Sequence, residues 1–206
     1  MTVLRLLILS VFLGMWNVCF AAEYGIQQQK ALSAIPAEFR YFGFIWASTE
    51  GDLNGDGIPD MAMVLTGRKT ESDSMEERLF VLAGKPDGTY EVLSISAEFC
   101  HPSKFYNLDI ARNSLFAQMV EFADATRISS RTLQFRFNAK LSDLELIGEE
   151  ENAESYEDGA MERTSTNYLT GKVIHATKNG SKIKTRIERI DKSASPARLN
   201  GYLCRS

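Results

Sequence analysis

Histidine occurs twice in 206 residues, cysteine three times and tryptophan twice. So few histidines, with no CxxC spacing, leave nothing of a zinc centre. There is no glycine-rich phosphate loop, and no GxSxG elbow to support a serine hydrolase. Positive charge is also in deficit. The chain has 23 Lys and Arg against 27 Asp and Glu, a net charge of −4, where a phosphate backbone demands a basic surface. A nucleic-acid partner is not expected. The longest apolar run, Leu6 to Phe20, is 15 residues. That is short of the ~20 that cross a bilayer as a helix.

That run belongs to a different kind of segment. MTVLR carries one positive charge, LLILSVFLGMWNVCF carries none, and the small residues of AAEYG follow. A basic start, an apolar middle and a small-residue exit make a secretory signal peptide over residues 1–21. Cleavage after Ala21 places Ala21 at −1 and Cys19 at −3, both small. Lipid attachment at Cys19 is disfavoured, because Asn17-Val18 lacks the small residue before the cysteine. The mature chain, residues 22–206, is expected to be one periplasmic or secreted domain without a stable membrane span. Its net charge is −5, from 22 Lys and Arg against 27 Asp and Glu once Arg5 is removed.

Export makes the remaining cysteines a pair. Cys100 and Cys204 in an oxidising compartment predict a disulfide that ties the end of the chain to its middle. In the chain-entropy model a loop of ~100 residues closed this way is worth about 4–5 kcal/mol. A catalytic thiol would need a base. His101 is adjacent in sequence, but neighbours on a strand point to opposite faces. His101 reads instead as a turn or surface residue.

The pattern along the domain is that of strands. IQQQKALSAIPAEF predicts a short helix with Ile26, Ala31, Leu32 and Ile35 as its apolar side, ended by Pro36. Beyond Tyr41 short apolar or alternating runs take over. MAMVLTG reads as a buried strand; RLFVLAG and TYEVLSI flank a KPDG turn. YNLDIA and LFAQMVEF flank Arg112-Asn113-Ser114. RTLQFRF alternates, and DLELIG follows it. GKVIHATK and SKIKTRIERI are joined by Asn179-Gly180, a type I′ signal. That turn sets Lys178 opposite Ser181, Ala176 opposite Ile183 and His175 opposite Lys184, with His175 on a solvated basic face. The acidic stretch EEENAESYEDGAMERTSTN, residues 149–167, has no apolar period and reads as a long loop. Eight to ten short strands in hairpins predict an all-β, antiparallel domain, a sandwich or open barrel, with one short N-terminal helix. Phe39, Tyr41, Phe42, Phe44 and Trp46 are expected in its core.

One stretch carries chemistry. GDLNGDGIPDMAMV places oxygen-bearing side chains at Asp52, Asn54, Asp56 and Asp60, positions 1, 3, 5 and 9 of a loop, with the carbonyl of Ile58 at 7. Alternate residues of a tightly curled chain can aim their oxygens at one centre, and Ca²⁺ takes six to eight oxygens at roughly 2.3–2.6 Å. Gly55 and Gly57 supply the curl. Magnesium, with stricter octahedral demands, suits the loop less well. Position 12 is Met63, not the glutamate of an EF-hand, and a strand follows where an EF-hand has a helix. The nine residues resemble the calcium loop of FG-GAP and VCBS repeats, found in integrin-type propellers and many exported bacterial proteins. That resemblance implies Asp52, Asn54, Asp56, Ile58 and Asp60 as ligands of a structural Ca²⁺. The loop occurs once, whereas a propeller needs several blades of about four strands each. The whole chain is similar to a loosely defined group of exported bacterial proteins with one such loop and a TSTNYLTGK-like strand, here Thr164 to Lys172. That likeness brings no activity.

The expectation is therefore a calcium-binding envelope protein that acts by binding, as an accessory or inhibitor, with a protein or glycan as partner. The alternative is an envelope hydrolase whose carboxylate pair is assembled by the fold.

Overall fold

The computed structural model describes residues 25–97, 105–122, 126–191 and 197–201. The segment expected to be a signal peptide, residues 1–21, lies outside the described residues, as do His101 and the two cysteines expected to form a disulfide, Cys100 and Cys204.

Helix α1 (Ile26–Ser33) and a 3-10 turn (Ala37–Phe39) precede eleven strands. The first four are β1 (Phe42–Gly51), β2 (Asp60–Gly67), β3 (Glu76–Gly84) and β4 (Tyr90–Ile95). Then come β5 (Phe105–Ala111), β6 (Ser114–Phe122), β7 (Arg127–Asn138), β8 (Asp143–Ser155), β9 (Met161–Asn167), β10 (Lys172–Asn179) and β11 (Lys182–Arg189). A second 3-10 turn spans Leu199–Gly201. Strands 1 to 4 form one sheet in chain order and strands 5 to 11 another, antiparallel throughout. The domain is all-β with one short helix.

Two clusters of buried side chains make three layers. Ala62, Val64, Leu79 and Val81 of the four-stranded sheet meet Leu115, Ala117, Leu133 and Phe135 of the seven-stranded sheet. On the other face of the small sheet, Met61, Met63, Leu65, Phe80 and Leu82 pack against Ala31, Ile35 and Phe42. β2 lies between both clusters, so all eight of its residues are buried. A strand covered on two faces must be apolar at every position, which is why MAMVL is a continuous run. Helix α1 stops at Ser33, ahead of Pro36, and its Gln28 amide donates to Ser48 Oγ of β1 at 2.7 Å. The small sheet's free strand β1 lies against β5. A Cβ on Gly51 would sit 2.8 Å from Ile110, so glycine sets this approach of the two sheets.

Three expectations are corrected. Residues 149–167 are mainly the end of β8 and the whole of β9, not a loop. Their charges are matched across strands: Glu150 bonds Arg163, and Glu162 lies 3.3 Å from Arg127. Such strands carry charge on both faces and show no period in hydrophobicity. The last hairpin turns one residue later than Asn179-Gly180 implies. Asn179 faces Lys182 and His175 faces Arg186. Gly180 alone has a positive φ there, +57°, as a turn with glycine at its first central position requires. The two-residue displacement keeps His175 and Val173 on one face, but that face is not solvated throughout: Val173 is buried and His175 half-buried, paired with Thr164 and Glu188. Finally, only Phe42 of the five clustered aromatics is fully buried. Irregular pairing beside Phe44 and Trp46 turns these two outward, ring centroids 5.2 Å apart edge to face.

Candidate functional site

The loop from Asp52 to Asp60 joins β1 to β2, and its own side chains shape it. Asp52 accepts the N–H of Gly55 at 2.7 Å through Oδ1 and of Gly57 at 3.0 Å through Oδ2. Asn54 Oδ1 accepts the N–H of Asp56 at 2.9 Å, and Asp56 Oδ1 that of Ile58 at 2.8 Å. Each side chain thus organises backbone two to five residues ahead, which keeps alternate residues on the inside of the curl. Gly55 and Gly57 have φ of +83° and +81°. A side chain at either would cost strain, so both glycines serve the role their positions suggest.

Asp60 has a duty that the spacing does not announce. It is fully buried, and its carboxylate holds three main-chain donors. Oδ2 accepts from Leu53 at 2.8 Å and Asn54 at 3.2 Å; Oδ1 accepts from Gly84, at the end of β3, at 3.0 Å. The clamp needs Gly84 as well, since a Cβ there would lie 2.2 Å from the carbonyl oxygen of Pro59. Burial pushes the Asp60 carboxyl above its ordinary range; the three N–H groups oppose this, and the charge of nearby Asp56 adds to it.

Among the described residues no three His, Cys, Asp or Glu side chains gather into a group able to hold a metal ion. The loop's donors are of mixed kind. Asp52 and Asp56 supply carboxylates, Asn54 an amide and Ile58 a peptide carbonyl, while Asp60 is turned inward. All are hard oxygens, the set that suits Ca²⁺ and suits zinc or copper poorly. Asn54 Nδ2 donates to Asp56 Oδ2 at 3.0 Å, so an amide N–H stands as that oxygen's positive partner.

A second polar constellation was not foreseen. Beyond the core, the face of the seven-stranded sheet that meets the small sheet carries Arg131, Glu149, Glu151, Thr164, His175 and Glu188. Glu149 accepts Arg131 Nε at 2.5 Å and the Tyr168 hydroxyl at 2.6 Å; Arg131 Nε is also 3.6 Å from Glu151. His175 Nδ1 pairs with Thr164 Oγ1 at 3.1 Å, and its Nε2 lies 3.4 Å from Glu188. Glu149 and Glu151 fall in the acidic run first read as a loop. Two residues apart on one strand, they share a face, which only the strand assignment makes visible.

No family model matches the chain, and no curated protein and no solved structure matches it.

Proposed function

We propose that the chain is an exported β domain that binds Ca²⁺ in the loop of residues 52–60 and works by holding a partner, as an envelope binding, accessory or inhibitory protein. The observation that carries the calcium half is the loop's self-organisation. Asp52, Asn54 and Asp56 each spend side-chain oxygen on the loop's own N–H groups at the intervals an alternating ligand set needs. Asp52, Asn54, Asp56 and the Ile58 carbonyl would hold the ion, in the manner of FG-GAP and VCBS loops, while Asp60, the fifth ligand of that resemblance, holds the main chain of Leu53, Asn54 and Gly84. Bound there, Ca²⁺ supplies charge neutralisation for the carboxylates. The chain's own part is to fix loop and strand together: Asp60 ties the loop to β3, so ordering the loop stabilises the small sheet. The role is structural.

Thermal melting of residues 22–206 in EGTA and in CaCl₂ tests this. At a hundredfold excess over Kd the ion should add about 2.7 kcal/mol and raise Tm. Asp56→Ala should abolish the rise. A melting temperature indifferent to calcium sinks the site.

A second reading, hydrolysis by paired carboxylates, is favoured by the shared face of Glu149 and Glu151. It ranks below binding because Arg131 lies against both carboxylates and Tyr168 takes the remaining oxygen of Glu149. That arrangement joins β7 to β8 and leaves neither carboxylate free to protonate a leaving group.

A further inference from the structure

The two sheets have four edge strands among the described residues, and three of them have a further element in contact. β1 and β5 lie against each other, and the turn at Leu199–Gly201 packs beside β4. β11 is paired with β10 on one side alone, and all eight of its residues are exposed. Among the described residues no strand pairs with its other side, and the side-chain ion pairs of Lys182 to Arg189 are those of Glu188 with Arg186 and His175.

The register fixes which backbone groups this edge offers. Ile190 N–H donates to the Gly171 carbonyl at 2.8 Å, in phase with the pairing of Asn179 with Lys182. In an antiparallel pair, inward-bonding residues alternate with outward ones. Lys182, Lys184, Arg186 and Glu188 therefore bond to β10. Ile183, Thr185, Ile187 and Arg189 turn their N–H and C=O groups to solvent, a template for another strand.

Charge selects among strands. Residues 172–189 hold six Lys and Arg and one carboxylate, Glu188, in a chain of net charge −4. Arg186 is paired with Glu188, which leaves Lys182 and Lys184 without a carboxylate partner among the described residues, on one face of β11. Lysines on an edge guard against indiscriminate pairing. Here they repel a second copy of the same edge and any basic strand, and they admit an acidic one. On the opposite face Ile183 and Ile187, 70% and 59% exposed, offer apolar contact at alternate positions.

We infer that β11 is a docking edge for an extended acidic segment of a partner protein, which adds to the seven-stranded sheet as its next strand. Asp or Glu at alternate positions of that segment faces Lys182 and Lys184. The apolar residues between them lie along Ile183 and Ile187. This names the partner chemistry for the binding half of the proposed function and rests on that half; it does not require the cation.

The test uses residues 22–206 and a blocked peptide of four Glu-Val repeats as probe, with amide hydrogen exchange followed by NMR. The peptide should slow exchange at Ile183, Thr185 and Ile187, and a Lys-Val peptide should not. Lys182→Glu with Lys184→Glu should weaken binding about tenfold or more. Thr185→Pro removes an outward N–H and no bond to β10, so protection should vanish while Tm holds. Should Thr185→Pro fail to fold, exchange in the unmodified chain decides alone. Absent protection overturns the inference. So does a Thr185→Pro chain that binds as well as the original, because the peptide is then held by charge alone. Capture of phosphatidylserine vesicles or single-stranded DNA at this edge, unchanged by Thr185→Pro, counts against it in the same way. Running each titration in calcium and in EGTA separates the two ideas: peptide binding with no calcium shift removes the loop site and leaves the edge.

Discussion

β2 and β11 are both eight-residue strands, yet every residue of β2 is buried and every residue of β11 is exposed. β2 is flanked by strands on two sides and covered on two faces; among the described residues β11 has β10 alone. β2 therefore exists because desolvation of Met61 to Leu65 stabilises it, each fully buried side chain contributing about 1.5–3 kcal/mol. β11 gains almost nothing from burial and is held by its turn and its ladder to β10. The same backbone geometry is thus reached by two routes, and the two strands should tolerate opposite kinds of damage. Val64→Asp places a charge without a partner between the sheets, at a cost of several kcal/mol that should leave the chain unfolded. Thr185→Asp should change stability by no more than about 0.5 kcal/mol. Circular dichroism with urea denaturation reads both. A folded Val64→Asp chain would mean that the two sheets do not share a dry core.

The contrast sharpens at the first residue of each strand, since both begin on a charge. Lys182 opens β11 in solvent, whereas Asp60 opens β2 fully buried. Asp60→Ala would strand the N–H groups of Leu53, Asn54 and Gly84 that its carboxylate now satisfies. An unsatisfied buried donor costs about 1–3 kcal/mol, so a loss of about 3 kcal/mol or more is expected. Lys182→Ala should be neutral to within about 0.5 kcal/mol. The urea midpoint measures both. If Asp60→Ala cost no more than Lys182→Ala, the clamp between loop and β3 would carry no stability.

The same contrast explains what could be read from the chain. β2 is legible because burial on both faces writes itself as an unbroken apolar run. The turns at Lys85 to Gly88 and at Arg112-Asn113 are legible because tight reversals need particular residues, and Arg112 and Asn113 indeed take φ of 52° and 55°. The oxygen pattern of residues 52–60 is legible because it is local. The inward turn of Asp60 is not, since its third donor, Gly84, lies 24 residues on. The strand character of residues 149–155 and 161–167 was hidden for another reason. Their alternate side chains are charged on both faces and satisfied by partners on other strands, so hydrophobic period carries no signal there. Phe44 and Trp46 were misplaced because irregular pairing re-aims side chains and leaves no compositional trace.

The smallest expected effect tests how far along the seven-stranded sheet the covered regime extends. Two ion pairs link its strands at different depths. Arg131 and Glu149, with side chains 21% and 12% exposed, sit near the core, and the Tyr168 hydroxyl closes on the same carboxylate. Arg127 and Glu162, 51% and 67% exposed, sit toward the free end and are 3.3 Å apart. A half-buried, charge-assisted pair keeps its attraction where water is thinned out; an exposed one is screened and must also order two long side chains. Double-mutant cycles to alanine should therefore give a coupling of about 1–2 kcal/mol for Arg131 with Glu149. For Arg127 with Glu162 the coupling should be about 0.3 kcal/mol. At 1 M NaCl, where the screening length is about 3 Å, the outer coupling should disappear and most of the inner one remain. Equal couplings at both sites would show that the sheet is uniformly solvated from β7 outward, and that the boundary between its covered and free parts lies closer to the core than Arg131.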